Sequence, residues 1–289
     1  MEIKALACEM PSRCARPLSR WSIAELTAEA RRSGLVASIS DSTVWRWLSE
    51  DAIRPWRFRS WLFPRDPDFA MKAGRILDLY HRSWQGDDLG EGEYVLSSDE
   101  KTSIQARRRR HSSVPARPGV SMRVEHEYER KGAWAYLAAL DVHRMKLFGR
   151  CEAKSGIAPF SRLVEHVMNQ APYRAARRVF WIVDNGSSHQ GRNSIARYAE
   201  RYPNMVLVHG PTHASWLNQI EIYFSVLQRK ALTPNNFASL DELAHRILCF
   251  QAEYERAAKP FEWRFTRRDL IKLLKKIHRI PAQSIRAAA

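Results

Sequence analysis

Of the chain's 289 residues, 45% are hydrophobic, which is enough for a packed core and argues against wholesale disorder. No run of 18 apolar residues occurs, and Met1-Glu2-Ile3-Lys4 does not lead into an apolar stretch, so neither a membrane span nor a secretory leader is expected. Lys and Arg number 47 against 31 Asp and Glu, a formal charge of +16 that points to a polyanionic partner.

The excess is uneven: residues 1–90 carry 14 basic and 12 acidic groups, so the rest of the chain holds most of it. Cys8, Cys14, Cys151 and Cys249 lack paired short spacings. A zinc site or disulfide framework is therefore not expected, and a cytoplasmic location is.

In chain order, the residues up to 20 read as a connecting segment. Ser22, with Glu25 three positions on, forms a capping box ahead of Ile23, Leu26 and Ala30 at helical spacing, and Gly34 supplies a stop. A second helix is predicted from Ser40-Asp41-Ser42 through Val44, Trp47 and Leu48. Two short helices over 21–50 with a tight connection fit a helix-turn-helix, whose second helix, carrying Arg46, would enter the DNA major groove. Residues 54–67 are rich in Pro and Trp, which forbids a continuous helix or central strand. A linking helix is predicted over 69–84, ending at Gly86.

From residue 93 the pattern changes to strands. Tyr94-Val95-Leu96 leads into Ser97-Ser98-Asp99, and residues 134–140 and 145–149 flank a turn in which Asp141 supplies turn chemistry. A helix over 160–170, a doubly buried strand over 179–183, a helix over 192–201, a strand over 205–208 and a helix over 215–227 follow. This order predicts an α/β fold, a mixed sheet flanked by helices, behind an all-α amino-terminal module. The expected divisions are a helix-turn-helix module over 1–60, a linker and linking helix over 61–92, a catalytic domain over 93–260, and a basic carboxy-terminal helix over 261–289. In that last helix Lys272, Lys275, Lys276 and Arg279 oppose Leu270, Leu273, Leu274 and Ile277.

Two predicted strands end in an aspartate, Asp99 and Asp184, and the carboxyl edge of a sheet is where α/β folds bind ligands. Adjacent aspartates there make a hard-oxygen site suited to Mg²⁺ or Mn²⁺. Glu221 lies on the helix whose apolar stripe is Leu217, Ile220, Phe224 and Leu227, and it borders that stripe. It is also the only acid between Glu200 and Asp241, as Asp184 is between Glu165 and Glu200. Taken singly, each acid reads more readily as ordinary structure, Asp99 as a solvated strand end, Asp184 as turn chemistry and Glu221 as a helix carboxylate; the isolation of Asp184 and Glu221 in basic stretches favours a cation to hold.

The segments Ser98-Asp99-Glu100-Lys101-Thr102-Ser103-Ile104-Gln105-Ala106, Val183-Asp184-Asn185-Gly186-Ser187-Ser188-His189 and His213-Ala214-Ser215-Trp216-Leu217-Asn218-Gln219-Ile220-Glu221 resemble the signature blocks of bacterial insertion-sequence transposases. These are the prokaryotic branch of the mariner-like superfamily with an Asp-Asp-Glu triad. The gap of 36 residues from Asp184 to Glu221 is close to that group's spacing. The resemblance implies a ribonuclease H-like catalytic domain in which Asp99, Asp184 and Glu221 are the catalytic residues and bind two Mg²⁺ or Mn²⁺ ions about 4 Å apart. The expected partners are double-stranded DNA, as the element's terminal inverted repeats and its target, and a second copy in a homodimer; no membrane is expected. The expected location is the bacterial cytoplasm, at the nucleoid.

Arg107, Arg108, Arg109, Arg110 and Lys230 are expected to contact DNA phosphate, as are His189 and His213 nearer the metals. Such transposases begin with two helix-turn-helix units and only one fits before residue 60, so an amino-terminally truncated copy is expected. The alternative function is a truncated or repurposed transposase that only binds DNA. A junction resolvase or ribonuclease H shares the metal chemistry but accounts for neither the helix-turn-helix nor the Trp216–Glu221 block.

Overall fold

The computed structural model describes residues 2–58, 64–185 and 192–278. The chain forms two compact units, residues 1–63 and 64–289.

The first unit holds α1 (Glu2–Cys8), α2 (Ile23–Arg32) and α3 (Asp41–Glu50). The predicted capping box is present: Ser22 Oγ accepts from Glu25 N at 3.2 Å, and Glu25 Oε2 accepts from Ser22 N at 2.9 Å. Ser40 caps α3 by a single bond, its Oγ accepting from the Thr43 N–H at 3.2 Å. The segment ahead of residue 21, expected to be a connector, instead contributes α1, whose Ile3 and Ala7 are buried with Trp21, Leu26, Ala30, Val44 and Leu48. A seven-residue helix is too short for its periodicity to stand out, and packing stabilises it. The link between α2 and α3, residues 33–40, is longer than the tight connection expected. Gly34, at φ +73°, turns the chain, and Val36 and Ile39 then pack on the small core.

The second unit begins with α4 (Phe69–Tyr80). This helix stops short of the predicted end at residue 84, because Arg82, Gln85 and Gly86 take positive φ and fold a small hairpin of β1 (Ser83–Trp84) and β2 (Asp87–Asp88). Next come β3 (Glu93–Arg109), β4 (Tyr128–Asp141), β5 (Lys146–Glu152), α5 (Ile157–Met168), β6 (Arg178–Val183), α6 (Arg192–Arg201) and β7 (Met205–His209). The unit closes with α7 (Ile220–Lys230), α8 (Leu240–Ala257) and α9 (Arg267–His278).

The main sheet has the order β5-β4-β3-β6-β7. β3 pairs antiparallel with β4 and parallel with β6, β4 antiparallel with β5, and β6 parallel with β7. Strand alternation sends Leu96, Trp181 and Val183 to one face, where they bury with Phe160, Leu163 and Val167 of α5 and Tyr198 of α6. Val95, Phe180 and Ile182 point the other way, against Ile76, Leu79 and Tyr80 of α4. Farther along that second face, Tyr136, Ala138 and Leu140 pack under α7 and α8. The helix read as a linker is therefore part of the sheet's cover, and α9 packs on it through Leu270. This is the mixed α/β, ribonuclease H-like architecture expected. No helix among the described residues is long and apolar enough to cross a membrane.

Candidate active site

The site forms where β6 runs out. The parallel register matches Ser97 with Ile182, so Asp99 and Asp184 each lie two residues farther on, level with one another and on the same side of neighbouring strands. β6 ends at Val183, and the chain turns away at Asp184. Asn185 Nδ2 donates to the Gly210 carbonyl at 2.7 Å and Gly210 N to the Val183 carbonyl at 2.9 Å, which fixes the loops beyond β6 and β7.

Asp99 itself is not a strand end, as the sequence suggested. β3 continues to Arg109 on its β4 side, where Asp99 pairs with Ala138, and a bulge between Lys101 and Ile104, with Ser103 at φ 57°, bends the extension. That extension carries little apolar alternation, and the β4 ladder sustains it.

Glu221 arrives from the opposite side. Residues Ser215–Leu217 form a 3₁₀ turn, Asn218 is extended at φ −87° and ψ 109°, and α7 starts only at Ile220. The helix predicted over 215–227 is thus broken, and Glu221 sits in the first turn of α7, where the helix dipole favours a carboxylate. Leu217, Ile220, Phe224 and Leu227 are all buried, as their spacing implied.

Asp99, Asp184 and Glu221 line one cavity of about 420 Å³, together with residues 210–215, Ile76 and Ile182. Ligand oxygens of Asp99, Glu100 and Asp184 lie within 4.8 Å of one another. Burial, with repulsion from Asp184, Glu221 and Glu100, pushes the Asp99 carboxyl up to about 7 against the Glu100 N–H that it accepts at 2.8 Å. Burial raises Glu221 as well, opposed by Lys101 and reinforced by Asp184. A divalent cation relieves both burial and repulsion, and an all-carboxylate donor set suits Mg²⁺ or Mn²⁺. The residues present fit that ion.

His213 lines the same cavity, exposed and at φ 60°. His189 and Arg279 lie outside the described residues. Arg107 and Arg109 line a second cleft, of about 580 Å³, with Gln105, His126, Gln228 and Asn235. Both guanidiniums stack on Tyr128, at 4.6 and 5.0 Å from its ring centre, and Arg109 also donates to the carbonyls of Asn235 and His126. Arg108 and Arg110 are exposed, as is Lys230 at the end of α7. Arg46 is exposed on α3 of the first unit, between Trp45 and Trp47. Asp141 does serve its turn: Oδ1 accepts from the His143 and Arg144 N–H groups, and Oδ2 from the Tyr173 hydroxyl at 2.8 Å.

Sequence reasoning passed over Glu100, Lys101 and Asn218 at this site. The signal was available for the first two, since they follow Asp99 directly. For Asn218 the signals were its place in the third resembling block and its position three residues ahead of Glu221.

A mixed sheet with carboxylates converging at the end of its parallel pair is a ribonuclease H-like fold with an acidic site. The family model described as DDE superfamily endonuclease matches residues 94–244, more than half of the chain. The chain belongs to that superfamily. By structure it is similar to the Mos1 mariner paired-end complex with Mn, at 13% identity and TM-score 0.52 over 98% of this chain and 77% of that one. It is similar also to the Mos1 paired-end complex with Mg, at 17% identity and TM-score 0.50 over 93% and 80%. At these identities the likeness is one of fold. A search of curated proteins by sequence finds no match.

Proposed function

We propose that the protein is a DNA transposase that cuts and joins DNA strands at the ends of an insertion sequence, with Asp99, Asp184 and Glu221 as its catalytic, metal-holding residues. The observation that carries this reading is the convergence of three acids, from β3, the end of β6 and the first turn of α7, on one cavity of a DDE superfamily fold. The fold it shares with Mos1 mariner complexes that contain paired ends and Mn or Mg supports the choice of transposition and of the ion.

Two Mg²⁺ or Mn²⁺ ions bound there would supply Lewis-acid charge for in-line displacement at a phosphodiester, the attacking oxygen being that of water in cutting and of a DNA 3′-hydroxyl in joining. Asp99 and Asp184, level on adjacent strands, and Glu221, in the first turn of α7, are the residues that would hold the ions. His213, exposed in the cavity lining, would meet the phosphate, and Lys101 lies near enough for its charge to act on Glu221. Arg108, Arg110 and Lys230 add phosphate contacts away from the cavity, and Arg46 on α3 reads or grips duplex DNA. Two copies acting on two ends, in a bacterial cytoplasm at the chromosome, complete the reading.

The test is Mn²⁺-dependent nicking and strand joining on duplexes bearing the inverted repeats that flank the gene, some supplied with pre-cut 3′-hydroxyl ends. Metal-dependent products that vanish with EDTA support the reading. Tight DNA binding with no cleavage on either substrate favours the alternative, a chain that only occupies DNA.

A further inference from the structure

The three acids reach the cavity from separate segments, so something must hold those segments in register. Asn218, 6% exposed, lies where they meet. Its Nδ2 donates to the Ser98 carbonyl at 2.9 Å and to Asp99 Oδ2 at 3.1 Å. Its Oδ1 accepts from the Ser97 hydroxyl, and Ser97 Oγ in turn accepts from Ile220 N at 2.8 Å, the residue before Glu221. One amide thus touches β3 at three consecutive residues and, through Ser97, the start of α7.

The Asp99 carboxylate is held at both ends. Oδ1 accepts from the Glu100 N–H and Oδ2 from Asn218, so its rotation is fixed while lone pairs remain on both oxygens. On the far side of the same segment, Tyr80 of α4 donates its hydroxyl to the Leu217 carbonyl at 2.6 Å and accepts from Gln219 N at 3.2 Å. The extended break between Leu217 and Ile220 is therefore clasped by β3 on one side and by α4 on the other. A helix running unbroken from Ser215 would place residue 218 in a helical turn, where its amide would not meet β3 in this way. The break that the sequence did not reveal is what puts Asn218 against Asp99.

We infer that Asn218 is a positioning residue for the cation site: it orients the Asp99 carboxylate and, with Ser97, sets the placement of Glu221 relative to it. The inference rests on the functional reading above. Groups that orient a metal-holding carboxylate change metal affinity or activity by about 10- to 100-fold when removed.

The test uses the full chain with Mn²⁺ alone as probe, read by calorimetry or by the electron paramagnetic resonance of free Mn²⁺, beside thermal unfolding and cleavage of a pre-cut duplex. Asn218→Ala is expected to weaken Mn²⁺ binding about 10- to 100-fold and to raise the Mn²⁺ needed for half-maximal cleavage by the same factor. Affinity for DNA measured without metal stays within about twofold, since no charge changes. Ser97→Ala, which keeps the amide but removes the two hydrogen bonds of the Ser97 hydroxyl, is expected to weaken Mn²⁺ binding by about 5- to 10-fold and serves if Asn218→Ala does not fold. Tyr173→Phe is the control, because it removes a buried hydrogen bond to Asp141 elsewhere in the unit. It should lower the melting temperature and leave Mn²⁺ affinity alone. Unaltered Mn²⁺ affinity and metal dependence in Asn218→Ala, with wild type binding and cleaving, overturns this inference alone, as does an equal loss of Mn²⁺ affinity in Tyr173→Phe. A wild-type chain that binds no Mn²⁺ overturns the functional reading and this inference with it.

Discussion

Asp99 and Asp184 stand level on adjacent parallel strands, two residues beyond the last matched pair, Ser97 and Ile182. That register brings their ligand oxygens within 4.8 Å of one another although 85 positions separate them in the sequence. Two carboxylates so close repel at neutral pH, and a divalent cation turns that repulsion into attraction.

Affinity for DNA should be dominated by counterion release. Raising salt from about 50 to 200 mM should weaken binding by about 10³-fold or more if six or more phosphates are contacted. Arg108 and Arg110 are exposed, so Arg108→Ala and Arg110→Ala should each reduce the log–log salt slope by about one without altering the fold. Arg107 and Arg109 are tied to Gln105, Asn235, His126 and Tyr128, so their removal should lower stability as well. A flat salt response contradicts the assignment of the basic surface.

Arg46→Ala should weaken binding to the element's end more than to unrelated duplex, with the first unit still folded. Arg46 is exposed and the core of the unit is built from other positions of α3, Val44 and Leu48. Equal loss on every sequence would make Arg46 a phosphate contact.

Gly149 on β5 admits no side chain. A Cβ there would lie 2.3 Å from the Tyr136 hydroxyl and 2.4 Å from Gln251 Oε1, which are hydrogen-bonded to each other at 2.8 Å. Gly149→Ala should destabilise the larger unit by about 1–3 kcal/mol, a fall of about 2–12 °C in melting temperature. An unchanged melting temperature would show that Tyr136 moves aside freely.

The first unit should lose stability in acid through Glu29, which is 2% exposed. The Arg32 hydrogen bond holds its carboxyl below the usual range against the cost of burial, aided by the charges of Arg32 and Arg16. A depressed folded value stabilises above the unfolded value of about 4.3 and is lost as pH falls through the lower, folded one. Urea unfolding of wild type and Glu29→Gln should therefore differ by about 1–3 kcal/mol at pH 6, and the gap should close toward pH 3. A gap that widens in acid would contradict the ion pairing.

Much of the fold was legible because it rests on local signals. The Ser22–Glu25 capping box, the doubly buried run ending at Val183, and the stripe of Ile220, Phe224 and Leu227 all stand where their patterns put them. What was not legible depends on partners distant in sequence. The extension of β3 to Arg109 is sustained by β4, and α4 reads as a linker until Val95, Phe180 and Ile182 are seen beneath it. The break at Asn218 follows from hydrogen bonds to Ser97, Ser98 and Tyr80, all 120 or more positions earlier. Asp99 and Asp184 were named as strand-end aspartates, Asp184 and Glu221 also from their isolation, and all three from the resemblance; their common cavity depends on the β3–β6 register and on where α7 starts, which no local pattern encodes.

The most direct test of the central claim is strand cleavage by Glu221→Gln beside wild type, on pre-cut and intact duplexes with Mg²⁺ or Mn²⁺. The substitution keeps shape and removes one negative charge, so DNA binding should stay near normal while cleavage and joining fall by orders of magnitude. Asp99→Asn and Asp184→Asn should match it, and double substitutions should be little worse than single ones, as for groups acting as a unit. Asp141→Asn, whose carboxylate is committed to its turn and to Tyr173, should retain cleavage. A Glu221→Gln protein that cleaves at the wild-type rate would contradict the account.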